Sequence, residues 1–170
     1  LMDALHDRGH PVHVLPVLRH NLRPVPDSAR EVIATLEEQD LRNVLVLAHS
    51  KGGLIGKYAM TQLDQHERID RMVAVSTPFA GSVYARLAPV PHLRAFRAAD
   101  PVLAGLAREL DANARITSVY GVFDTLIPEG SELQGATNVR LPVGGHFRIL
   151  GDARTRSAVL AAAADGCSGR

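Results

Sequence analysis

The stretch Val44-Leu45-Val46-Leu47-Ala48-His49-Ser50-Lys51-Gly52-Gly53 restricts the fold of this chain more than any other. A run of aliphatic residues meets a corner of small residues carrying one serine. Leu54, Ile55, Tyr58, Ala59 and Leu63 then recur at helical spacing. This predicts a strand, a sharp turn and a helix. The aliphatic run shows no polar alternation, as in a parallel strand covered by helices on both faces.

The rest of the chain repeats that alternation. Met2, Leu5 and the Arg8-Gly9-His10 exit suit the last turns of an amphipathic helix stopped by glycine. Leu1 already reads as the inside of that helix, so an upstream segment is expected. Residues 11–15 form a short strand candidate between prolines. Ser28 and Glu31 fit a capping box opening a helix with Val32, Ile33 and Leu36 on its apolar stripe, ending near Gln39 or Asp40. The helix after Gly53 is expected to reach about Gln65, and residues 72–75 form the next buried strand. Residues 76–82 are a turn-rich exit. In residues 83–110, prolines 89, 91 and 101 break the pattern into short helical pieces. Strands are predicted at 116–120 and 139–141 with a loop at 121–130, and a closing helix at 152–164 with Asp152 as its N-cap and Gly166 as its stop. A chain of 170 residues with 46% apolar content suits one domain. The predicted fold is a three-layer α/β/α sandwich with a mostly parallel sheet.

Charge and cysteine usage narrow the function classes. Nineteen basic residues balance eighteen acidic ones to a net +1, with no basic block, which argues against a nucleic-acid partner. No run approaches the roughly 18 apolar residues of a transmembrane span. No signal-peptide pattern opens the chain, and the address stays open between cytoplasmic and secreted. The single cysteine, Cys167, sits in a polar tail without an intrachain disulfide partner.

The serine corner carries the chemistry. A serine hydroxyl is a poor nucleophile and needs a base in hydrogen-bond reach, an acid to orient that base, and amide donors for the oxyanion. A strand-to-helix corner holds Ser50 clear of its neighbours and puts the Lys51 amide at a helix N-terminus, where negative charge is favoured. Ala48 and Gly52 flank the serine as small residues, with Gly53 behind, so GxSxG appears as AxSxG. The partners are expected later, in the order acid then histidine, at C-terminal ends of strands. Asp124 follows the 116–120 strand, with Glu129 as reserve acid, and His146 follows the 139–141 strand. Histidines 6, 10, 13, 20, 66 and 92 lack this placement. His49 is expected to point away from the hydroxyl and pack behind the site.

His49-Ser50-Lys51-Gly52-Gly53, Ser76-Thr77-Pro78-Phe79-Ala80-Gly81-Ser82, Asp124-Thr125-Leu126-Ile127-Pro128 and Gly145-His146 together resemble the α/β-hydrolase superfamily, in particular its bacterial lipase and esterase branch. The resemblance implies Ser50 as nucleophile, Asp124 as orienting acid, His146 as general base and the Lys51 amide as one oxyanion donor. It implies no metal or organic cofactor, and an ester or lipid as substrate. Residues 83–110 resemble a small cap or lid in their place. Phe79, Leu87, Leu93 and Phe96, with Val90, Val102, Leu103 and Leu106, then either line an acyl-chain site or pack the cap onto the sheet. The chain departs from the family at its start. The strand and loop that supply the second oxyanion donor are expected between residues 11–15 and 44–47 in the sheet and are absent from this chain. At about 4.8 Å per strand, their loss leaves those two strands roughly 10 Å apart with unpaired edges. Ester hydrolysis, acyl transfer by the same acyl-serine chemistry, and an inactive truncated homologue all remain open at this stage, as does the oligomeric state.

Overall fold

The computed structural model describes residues 1–15, 23–83 and 100–164. Each aliphatic run becomes a strand: β1 (Val44–His49), β2 (Ile69–Val75), β3 (Ile116–Phe123) and β4 (Thr137–Gly144). They form one sheet of order β1-β2-β3-β4, parallel at every pairing. Strands longer than their aliphatic cores follow from the pairing itself, since the ladder extends as far as a neighbour offers carbonyls and amides.

Side chains alternate between two apolar layers, as the period of two requires. Val44, Val46, Met72, Ala74 and Ile116 face one layer with α2 (Val25–Glu38), α3 (Lys51–Tyr58, continued as a π-helical turn over Ala59–Leu63) and α4 (Pro101–Arg108). Leu45, Leu47, Val73, Val75, Val119, Leu141 and Val143 face the other, against α1 (Met2–His6) and α5 (Ala153–Ala164). The sheet is therefore sandwiched between helices. Full burial of a valine such as Val73 or Val119 stabilises the fold by about 1.5–3 kcal/mol.

Several local expectations need correction. Residues 11–15 form no strand. Pro11 lacks an amide hydrogen, and among the described residues β1, the nearest strand in sequence, hydrogen-bonds only to β2 within the sheet, so a strand beyond it would need a partner between them. Among the described residues β1 is accordingly an edge strand, half-buried along its whole length. The capping box also fails. Helix α2 begins earlier, at Val25, with Pro24 at the N-cap, Pro26 and Asp27 in its first turn, and Ser28 already buried inside it. Proline early in a helix forfeits only an amide that has no intrahelical acceptor, and an acidic first turn suits the helix dipole. Glu31 instead pairs with Arg23 at 2.8 Å. Asp152 does cap α5, its Oδ1 accepting from the Arg154 amide at 2.8 Å. Gly9 ends α1 at φ +82°, and Gly166 lies outside the described residues.

Of residues 83–110, only the ends are described. Asp100 caps α4 by accepting from the amides of Val102 and Leu103, and Leu103 and Leu106 are buried against α3. Leu87, Val90, Leu93 and Phe96 lie outside the described residues.

Candidate active site

The C-terminal ends of β1, β3 and β4 converge at one rim of the sheet, each delivering one polar residue. Ser50 is the residue between β1 and α3, with φ 54° and ψ −126°. An L-residue adopts that conformation only where the surroundings impose it. Two features impose it here: the Ser50 amide donates to the Val75 carbonyl of β2 at 2.9 Å, and α3 starts at the next residue. The small residues behind the corner divide their work differently from the sequence expectation. A Cβ on Gly52 would meet the Ala48 Cβ at 3.4 Å, an ordinary contact. One on Gly53 would stand 2.0 Å from Thr77 Oγ1 and 2.7 Å from its Cγ2. Gly53, rather than Gly52, is the position with no room for a side chain.

Asp124 directly follows β3 and is 8% exposed. A register shift between Gly121 and Phe123 breaks the ladder with β4 just before it, and such bulges re-aim the residues that follow. Its Oδ1 accepts from the Leu126 and Ile127 amides at 2.8 and 3.1 Å, which leaves Oδ2 for a partner. That partner is His146, whose Nδ1 lies 2.9 Å away. A carboxylate only accepts, so Nδ1 carries the proton and Nε2 presents its lone pair. Nε2 is 2.9 Å from Ser50 Oγ, so the hydroxyl donates to the imidazole. Gly145 precedes the histidine at φ +99°, in the left-handed region that glycine enters without strain, and its amide donates to the Phe123 carbonyl.

The structure thus brings Ser50, Asp124 and His146 into one hydrogen-bonded line. The Lys51 amide stands at the first position of α3, beside Ser50. The Lys51 side chain turns away and donates to the Arg23 carbonyl at 2.5 Å, and burial lowers its pKa. Glu129 is occupied elsewhere, accepting from the Val83 amide. His6, His13 and His66 are exposed and His10 half-buried; His20 and His92 lie outside the described residues. Phe79 is buried in the α3 layer, and Leu87, Leu93 and Phe96 lie outside the described residues.

Two further residues support the site: His49, which the sequence reading expects to pack behind it, and Phe147, which that reading does not single out. His49 Nε2 donates to the His146 carbonyl at 3.0 Å, and the two rings lie 4.7 Å apart, so His49 braces the backbone that carries His146. Burial lowers the His49 pKa, outweighing the bond to that carbonyl, which raises it. Phe147 meets the His146 ring edge-on at 5.0 Å. Adjacency to Ser50 marks His49 only as a neighbour; its partner lies far along the chain. Among the described residues, no cluster of His, Cys, Asp and Glu is arranged to hold a metal ion, and no helix is long and apolar enough to cross a membrane.

A parallel sheet covered on both faces, with its serine on a strained strand-to-helix corner, defines the α/β-hydrolase fold. No family model matches the sequence, and no curated protein is similar to it in sequence. Solved structures are similar in fold. An extracellular α/β-hydrolase from a Paenibacillus species is 18% identical with a TM-score of 0.60, covering 93% of this chain and 88% of that one. A hydrolase from Pseudomonas aeruginosa is 19% identical with a TM-score of 0.55, covering 82% of this chain and 71% of that one. A lipase from Bacillus licheniformis is 16% identical with a TM-score of 0.57, covering 74% and 68% respectively. At such identities the likeness establishes the fold.

Proposed function

We propose that this chain carries the reaction centre of a serine hydrolase that cleaves carboxylic esters through an acyl-serine intermediate. The observation that carries the reading is the line Asp124 Oδ2, His146 Nδ1, His146 Nε2, Ser50 Oγ, with both links at 2.9 Å. In the proposed reaction His146 takes the Ser50 proton as Oγ attacks the ester carbonyl. The carbonyl oxygen becomes an oxyanion facing the Lys51 amide, where the positive end of α3 favours the charge. His146 then returns the proton to the leaving alcohol, which departs and leaves the acyl group on Ser50. A water enters, gives its proton to His146 and attacks the acyl carbon, and the acid is released as Ser50 is reprotonated. Asp124 holds the imidazole in one tautomer throughout.

Exposed apolar side chains at the same rim support an apolar ester as substrate. Phe147 beside His146, and Phe123 and Leu126 on either side of Asp124, are 67%, 63% and 47% exposed. A chromogenic ester tests the reading. Wild type should release a stoichiometric burst of alcohol, and Ser50→Ala none. Asp124→Asn should lower kcat by about 10,000-fold with KM little changed, as loss of the correct tautomer does in serine hydrolases. A burst retained in Ser50→Ala would overturn the assignment. Competing alcohols in the same assay separate hydrolysis from acyl transfer by the products formed.

A further inference from the structure

A cleft of about 220 Å³ opens between α3 and α4, and Ser50, Asp124 and His146 do not line it. Its walls include Leu54, Phe79, Leu106 and Leu133 together with four polar residues: Lys57 and Asn113, which are buried, and Glu132 and Gln134, which are exposed. Lys57 is 1% exposed and lies on the cleft wall. Glu109 acts on it only through its field, and the Glu109 carboxylate already accepts from Gln62 at 3.0 Å. Asn113 is equally buried. Its Nδ2 donates to the Gln134 carbonyl at 2.8 Å, but its Oδ1 finds no donor among the described residues.

A buried amide oxygen without a donor is costly, and interiors rarely leave one unmet. Here that oxygen shares one cleft with the Lys57 ammonium, and the two suit complementary partners: an O–H for the oxygen and an anionic oxygen for the ammonium. The volume corresponds to about seven waters at ~30 Å³ each, enough for a ligand of roughly ten non-hydrogen atoms. We propose that this cleft is a second ligand site that takes a small apolar hydroxycarboxylic acid, its carboxylate on Lys57, its hydroxyl donating to Asn113 Oδ1 and its hydrocarbon against the leucines and Phe79. Burial lowers the Lys57 pKa to about 8, so the side chain is still largely cationic at neutral pH and gains from an anionic partner.

The site is independent of the reaction proposed at Ser50. Calorimetric titration with mandelate, and with phenylacetate, which lacks the hydroxyl, tests it on wild type, Lys57→Met and Ser50→Ala. Mandelate should bind wild type and Ser50→Ala alike. Phenylacetate should bind about tenfold more weakly, and Lys57→Met should lose about 30-fold in mandelate affinity, the ranges for a neutral and a charged hydrogen bond. No mandelate binding to wild type, or equal affinity in Lys57→Met, overturns the proposal. So does loss of binding in Ser50→Ala, which would move the ligand to the serine, or phenylacetate binding as tightly as mandelate. If Lys57→Met does not fold, the Asn113 side-chain amide resonances of wild type decide: they should shift on mandelate addition, and unmoved resonances refute the site.

Discussion

Replacing Ser50 by glycine should make the protein more stable than replacing it by alanine, although glycine usually lowers stability. The reason is the backbone at the corner, φ 54° and ψ −126°, where a Cβ crowds the adjacent peptide groups. Such conformations cost about 1–3 kcal/mol in a non-glycine residue. Both variants lose the Oγ bond to His146, so that contribution cancels between them. Alanine keeps the Cβ and its strain, whereas glycine sheds it and gives back about 0.5–1 kcal/mol through its freer unfolded chain. The net advantage of glycine is about 1 kcal/mol, which for a chain of this size is roughly 2–4 °C in Tm. The protein has no tryptophan, so urea unfolding is best followed by far-ultraviolet circular dichroism. Ser50→Ala proving as stable as Ser50→Gly, or more so, would refute the claim that the corner stores strain.

Two further outcomes follow from the packing around the same corner. Gly53→Ala should destabilise the fold by about 1–2 kcal/mol, because overpacking against buried Thr77 outweighs the roughly 1 kcal/mol gain in helix propensity. Gly52→Ala, meeting only the Ala48 methyl, should cost less, and the reverse ranking in urea unfolding would contradict the geometry. His49 is held below its ordinary pKa by burial, so the unfolded chain binds its proton more readily than the folded one. Its contribution is complete above the unfolded value of about 6.5 and is lost as pH falls from there through the lowered folded value. Stability measured across that window should therefore fall less steeply in His49→Gln than in wild type, and identical slopes would rule the mechanism out.

The order of strands and helices was legible because it is written locally. Aliphatic runs with no polar alternation mark strands covered on both faces, and the spacing of Leu54, Ile55 and Tyr58 marks the helix behind Ser50. The positions of Asp124 and His146 at strand ends were legible for the same reason. Other features depend on partners far away in sequence. Residues 11–15 have the composition of a strand, yet a strand exists only where another backbone lies about 4.8 Å away to accept its hydrogen bonds. Ser28 and Glu31 have the letters of a capping box, but Pro24, Pro26 and Asp27 start the helix a turn earlier.

By itself, then, the sequence determined the alternating layers, the serine corner and the chain order of Ser50, Asp124 and His146, since each rests on neighbouring residues and short periods. Only the tertiary structure decided that Gly53 rather than Gly52 is the crowded position, that His49 braces the His146 carbonyl, and that Lys57 and Asn113 line one cleft beside Phe79. Each of those is a distance between segments brought together by folding, and no periodicity in the chain encodes such a distance.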